Sequence, residues 1–147
     1  MRALGMAMVL VGCGSEGSFR FSDAEIATHD AINTYRAEQG LPDLELHPAV
    51  GEPSRAHSEA MAAGADFSHD GFDQRAEAVR GEITGVNAVG ENIARNRGFD
   101  DPVGVAVRGW IESDGHRENM EGDWTFTGVG IAQTDEGEWF FTQIFAD

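Results

Sequence analysis

Gly90-Glu91-Asn92-Ile93-Ala94 is the stretch around which this chain is organised. It stands between Phe67-Ser68-His69-Asp70-Gly71-Phe72 upstream and Ser113-Asp114-Gly115-His116-Arg117-Glu118-Asn119 downstream. The three strings supply two imidazoles and a carboxylate, each bracketed by glycine or a small polar residue and not set on a long apolar face. They lie far apart in the chain, so only a fold brings them together. If it does, His69, Glu91 and His116 form one polar cluster of the kind that binds a divalent metal or orients a water.

The flanking segments supply the scaffold. Ser22-Asp23-Ala24-Glu25 is a capping box, with Phe21 and Ile26 at the staple positions on either side. It predicts a helix over 23–39, with Ala24, Ala27, Ala31 and Tyr35 in one stripe, widened by Ile26 and Ile32. Gly40 and Pro42 end that helix. A second helical pattern covers 52–64 and becomes regular near Pro53. A short helix is expected over 72–80 and a strand around 90–93. Asp100-Asp101-Pro102 opens another long helix through Val103, Val107, Trp110 and Ile111, and Gly115 begins a further short one. The period then changes to two over 127–133 and 139–145, with Thr134-Asp135-Glu136-Gly137 as the turn of a hairpin. Helices first and an antiparallel sheet last is an α+β pattern. Trp110, Trp124, Trp139, Phe140 and Phe145 are expected in the core, and His29 and His57 at the surface or half-buried.

Composition narrows the function. The 147 residues suit one domain, and 41% hydrophobic content with nine Phe and three Trp indicates a folded chain. Twenty-six acids face ten bases, giving a net charge of −16, and every base is an arginine. Such a balance repels phosphate backbones and excludes a nucleic-acid partner. The acidity reads as a solvated surface, since no Asp-x-Asp-x-Asp-Gly loop for calcium is present.

The lone Cys13 allows no internal disulfide. Arg2, a short apolar run over 3–11 and Leu10-Val11-Gly12-Cys13 read as a signal segment over 1–13, too short to span a bilayer. Leu-Val-Gly-Cys resembles the bacterial lipobox, which makes Cys13 the expected site of lipidation. A polar linker over 14–21 then precedes a domain over 22–147. The expected location is the outer face of a bacterial membrane, held there by an N-terminal lipid.

The three strings, in this order and between these helices, resemble the superfamily of cysteine-rich secretory proteins, antigen five and pathogenesis-related proteins (CAP). Trp110 to Ser113, Gly128-Val129-Gly130 and Thr142 to Phe145 extend the likeness over nearly the whole of 22–147, and it is strongest to the small bacterial branch. The resemblance implies a three-layer α-β-α sandwich with a three-stranded antiparallel sheet; the domain is expected to be monomeric. It also implies a cleft lined by two histidines and two acids. His69, His116 and Glu91 take three of those places. The fourth is occupied by Ser113, with Glu112 as the nearest carboxylate. Members of the superfamily are associated with sterols or other lipids, with divalent metal, and in a few cases with proteolysis.

Two imidazoles and a carboxylate are three good zinc ligands, with a fourth place for water. Metal needs neutral imidazole, and the first turn of a helix at His116 disfavours its protonated ring. With Glu91 as a ligand no obvious general base remains, Glu118 being the one other acid to propose; Glu91 is otherwise the candidate catalytic residue. Ser68 and Ser113 neighbour histidines, but more readily brace turns. Against the metal cleft stands a hydrogen-bonded knot in which Asn92, Ser113 and Asn119 line the cleft and Asn92 and Asn119 satisfy backbone groups. The leading expectation is a binding protein for an envelope lipid, peptide or glycan. A metal-dependent hydrolase and an adhesive surface domain are the alternatives.

Overall fold

Every side chain from Phe140 to Ala146 is buried, which requires neighbours on both edges of that strand and cover on both its faces. The computed structural model describes residues 17–147 and supplies both. Its elements are α1 (Asp23–Glu38), β1 (Glu45–Leu46), α2 (Pro48–Ala62), α3 (Phe72–Glu82), β2 (Val89–Arg97), α4 (Pro102–Glu112), α5 (Asp114–Met120), β3 (Phe126–Gln133) and β4 (Glu138–Ala146). The sheet order is β1-β3-β4-β2, antiparallel except where β1 joins β3.

Alternation along β4 divides the core. Phe141 and Phe145 point into a cluster with Ile32 of α1, Trp110 of α4 and Met120 of α5. Phe140, Ile144 and Ala146 face Val50 and Met61 of α2, Val79 of α3 and Ile83 just after it. The result is the expected α-β-α sandwich. The sheet has four strands and not the expected three, because the two residues of β1 pair in parallel with Phe126 and Thr127. A two-residue strand carries no readable period.

Two helices differ from expectation. α2 starts at Pro48, where the ring of His47 accepts from the Ala49 amide as an N-cap, and it passes through Pro53 unbroken. In α1 the capping box forms as read, Ser22 and Glu25 exchanging bonds of 3.3 and 2.8 Å. The buried stripe, however, is Glu25, Thr28, Ile32 and Arg36, while Ile26 is 41% exposed. Polar residues take the inward face because partners wait there. Arg55 forks onto Glu25 at 2.9 and 2.5 Å, and the Ile131 amide donates to the same carboxylate at 3.1 Å. Arg36 donates to the carbonyls of Pro42, Met120 and Gly122, so α1 holds the C-terminal end of α5. Upstream, Phe19 and Phe21 pack edge-to-face at 5.0 Å, with the Arg55 guanidinium 4.0 Å from the Phe19 ring centroid; the last residues of the expected linker thus rest on α2. The signal segment, the lipobox and Cys13 lie outside the described residues. Among the described residues, no helix is long and apolar enough to cross a membrane.

α2 sits directly on β3. A Cβ at Gly128 would overlap the backbone of Val50 and Gly51, and one at Gly130 that of Ser54 and Arg55. The contact is sealed by Ser54 Oγ donating to Val50 and Gly128 carbonyls and Ser58 Oγ donating to Gly130 O at 2.8 Å. Gly130→Ala is expected to cost about 3 kcal/mol, since neither backbone can yield locally. Gly109→Ala, whose added carbon meets nothing within 4 Å, should be neutral or stabilising by up to about 1 kcal/mol. Urea midpoints of the two variants check the contrast.

Glu25 gives stability a pH dependence. Burial pushes its carboxyl up, but the Arg55 bond and the Ser22 and Ile131 amides outweigh this and hold it below the ordinary 4.5. A folded value below the unfolded one means a contribution fully present above about pH 4.5 and lost as the pH falls through the lower folded value. Glu25→Gln should therefore cost about 3 kcal/mol at neutral pH and flatten the acid limb of a stability-against-pH curve.

Candidate functional site

Position 91 falls on β2 so that its side chain enters the α2/α3 layer, while the next residue, Asn92, faces α5. Glu91 is almost wholly buried, its side chain 2% exposed. Its Oε1 accepts from His69 Nδ1 at 2.9 Å and from Arg75 Nη2 at 2.8 Å, and its Oε2 from Arg75 Nε at 2.7 Å. The Arg75 fork matches the carboxylate plane and satisfies a charge that burial would otherwise forbid. Both oxygens are thus held within the protein.

His69 reaches Glu91 from the loop between α2 and α3. Its side chain is 52% exposed. Two hydrogen bonds and one glycine shape the loop. The Ser68 hydroxyl accepts from the Asp70 amide at 3.2 Å. Gly71 adopts φ +79° to turn the chain into α3. His57 Nε2, from α2, donates to the Ser68 carbonyl at 2.8 Å. Burial holds His57 below the ordinary histidine value, opposed by that carbonyl and helped by the nearby Arg75 charge. His57 is buried, deeper than its sequence context implies.

His116 comes from α5 on the other side. Its Nδ1 is 2.8 Å from Ser113 Oγ, so the residue at the place where the resemblance implies an acid braces the ring as a hydroxyl. Burial, and secondarily the charge of His69, lower its pKa; the direction is the one expected from sequence, with desolvation as the leading cause. Asn92 Nδ2 donates to the His116 carbonyl at 3.0 Å, and Asn119 Nδ2 to Glu91 O at 3.2 Å and Asn92 Oδ1 at 2.9 Å. These asparagines fasten α5 to β2, as the knot reading expects. Glu112 and Glu118 are exposed, and Arg117 pairs with Asp114. No acid among the described residues stands behind His116, so Ser113 and His116 lack the third member of a hydrolase triad.

The ring geometry bears on metal. Among the described residues no three His, Cys, Asp or Glu side chains converge to hold an ion. A three-ligand site through Glu91 does not fit, because Arg75 and His69 occupy its oxygens. The Nε2 of each imidazole, opposite the braced Nδ1, makes no hydrogen bond among the described residues. Sequence reasoning missed Arg75 and His57; the one available signal was that Arg75 lies a turn beyond the Gly71 start of α3, where a side chain can reach back to the loop.

Beside His116 and Ser113 a cavity of about 360 Å³ runs between Phe67, the Ile93–Asn96 stretch of β2, and Val105, Ala106, Gly109 and Trp110 of α4. Trp110 Nε1 donates to Ile93 O at 2.9 Å, which fixes the floor.

A sandwich with this cleft defines a CAP-type domain. Residues 29–145 match the cysteine-rich secretory protein family, and the chain belongs to it. It is 33% identical over 119 residues to the uncharacterized membrane protein YlbC of Bacillus subtilis, covering 79% of this chain and 32% of that protein; it therefore spans about a third of that relative. An extracellular protein containing an SCP domain from Bacillus anthracis is 32% identical, with TM-score 0.66, over 83% of this chain and 39% of that one. An outer surface protein from Borrelia burgdorferi shares the fold at 16% identity and TM-score 0.74, over 88% and 96% of the two chains. NaASP2, solved with Zn2+, shares it at 12% identity and TM-score 0.59, over 91% and 83%.

Arg75→Met should cost about 3 kcal/mol at neutral pH, because it strands a buried carboxylate. Arg75→Lys, a point charge in place of a fork, should recover only part of that loss. Urea unfolding of both variants checks the ranking.

Proposed function

We propose that this chain is a binding domain of the cell exterior and not a hydrolase, with the imidazole cleft as its site. The observation that carries the reading is the bidentate Arg75–Glu91 pair. A carboxylate with both oxygens committed to an arginine and a histidine is a poor general base and a poor ligand. It is well suited to orient the imidazole of His69. In this reading a divalent metal such as zinc is held by the Nε2 edges of His69 and His116, with Glu91 and Ser113 fixing the rings from behind. The adjoining cavity takes an apolar portion of an envelope ligand. The extracellular and outer-surface descriptions of structural relatives, and the lipobox-like Leu10 to Cys13, support placement outside the cell on a lipid anchor.

Calorimetric titration of the purified chain with zinc tests this. Uptake is expected at neutral pH, abolished in both His69→Ala and His116→Ala, and weakened about 10–100-fold in Glu91→Gln, the scale of an orienting partner. Equal affinity in the histidine variants would remove the metal from this cleft. Zinc-dependent cleavage of peptides or cell-wall material that disappears in Glu91→Gln would overturn the binding reading in favour of the hydrolase.

A further inference from the structure

β2 is an edge strand, and part of its edge is open. Ala88 and Asp147 exchange both backbone hydrogen bonds, at 2.8 and 3.0 Å. Antiparallel pairing alternates, so Gly90, Asn92, Ala94 and Asn96 bond to β4 while Glu91, Ile93, Arg95 and Arg97 turn their N–H and C=O outward. The first two carbonyls are capped by side chains, Glu91 O by Asn119 and Ile93 O by Trp110. The N–H and C=O of Arg95 take no partner among the described residues. An uncovered stretch of edge is a template for another strand.

This stretch lies in a trench. Ile93 to Asn96 form the floor of the cavity described above, α4 forms one wall and Phe67 stands on the other side. Phe67 is 39% exposed, and the Arg95 guanidinium lies 4.9 Å from its ring centroid. Asn96 lines the same cavity and holds a buried Oδ1 with no donor. Arg95 and Arg97 are exposed and make no ion pair among the described residues, although Glu138 stands opposite Arg97 across the strands.

We propose that the open edge of β2 at Arg95, with the trench between α4 and Phe67, docks an extended acidic-apolar peptide segment of a partner protein, which joins the sheet as a further strand. Backbone groups at strand spacing are complementary to a peptide backbone, and this favours a peptide over a glycan or a lipid. Side chains of an added strand alternate between the two layers. One residue then places an apolar side chain against Val105, Ala106 and Trp110, and the next places a carboxylate by Arg95. A second copy of the chain fits poorly, since antiparallel pairing centred at Arg95 sets arginine against arginine. The proposal deepens the binding reading of the cleft and does not depend on a metal there.

Fluorescence anisotropy with the whole chain in EDTA tests it, using a capped, labelled peptide Val-Glu-Val-Glu-Val-Glu. Saturable binding is expected. The same peptide N-methylated at alternate residues should lose about tenfold or more, since its donors are gone, and Lys in place of Glu should weaken it comparably. Arg95→Glu should abolish the preference for acid. Gly109→Leu, at a helix position open to solvent on the trench wall, should block the trench while keeping the urea midpoint. No binding up to about 1 mM, or equal binding by the N-methylated peptide, overturns the proposal. So does self-association in sedimentation that Gly109→Leu abolishes, which would assign the edge to a second copy. Because EDTA is present, loss of zinc uptake with peptide binding intact removes only the metal, and the reverse removes only this docking site.

Discussion

The seat of α2 on β3 is the constraint from which the site follows. A helix normally rests on a sheet through two layers of side chains. Here Gly128 and Gly130 remove one layer, and Ser54 and Ser58 use the closeness to hydrogen-bond the strand itself. A helix held this near the sheet brings its later turns beside β2. There His57 takes the Ser68 carbonyl and sets the loop that carries His69. The position of one imidazole is thus traceable to two missing Cβ atoms a sheet-width away.

The other constraint is electrostatic. A chain with 26 acids and ten bases has few cations to place, and several go to interior ties. Arg55 joins α2 to α1 through Glu25, Arg36 joins α1 to the end of α5, and Arg75 joins α3 to β2 through Glu91. Each contacts at least two acceptors. That explains why lysine, with its single strongly hydrated charge, is absent from these places. The His69 loop and α5 are therefore each held by a guanidinium, partly buried at Arg75 and fully buried at Arg36, and the imidazoles are set on fixed elements.

Most of the fold was legible because the local signals agree. The capping box at Ser22, the Asp101-Pro102 start of α4 and the 134–137 turn all lie where the structure has them. What escaped has physical reasons. β1 is too short for a period, and Pro53 hid the first turn of α2, whose start is marked by a histidine cap that composition does not advertise. The buried face of α1 is polar, so a hydrophobic stripe pointed one residue away from it. At the site the strings lie close together: His69 bonds Glu91, Ser113 bonds His116, and Asn92 and Asn119 tie α5 to β2. The role of Glu91 was not legible, because it depends on Arg75, and nothing in the spacing of 75 and 91 says that a helix will carry one beside the other.

That pairing decides what kind of chemistry the cleft suits. A carboxylate that takes a proton or binds an ion needs a free oxygen and room for its charge to change, and the Arg75 fork denies Glu91 both. Its contribution is positional: it holds the His69 ring by Nδ1 and leaves Nε2 without a hydrogen bond among the described residues, as the Ser113 hydroxyl does for His116. Two rings braced at Nδ1, without an activated base or a complete triad among the described residues, are the geometry on which the proposed binding reading rests. The open strand edge beside it extends the same logic, since unpaired backbone groups at fixed spacing also recognise without reacting. Both surfaces depend on β2, whose central residues are clasped by Asn119 and Trp110 from one layer and by Arg75 and His69 from the other. The strand can be an edge and still be rigid because side chains, and not another strand, hold its outer side.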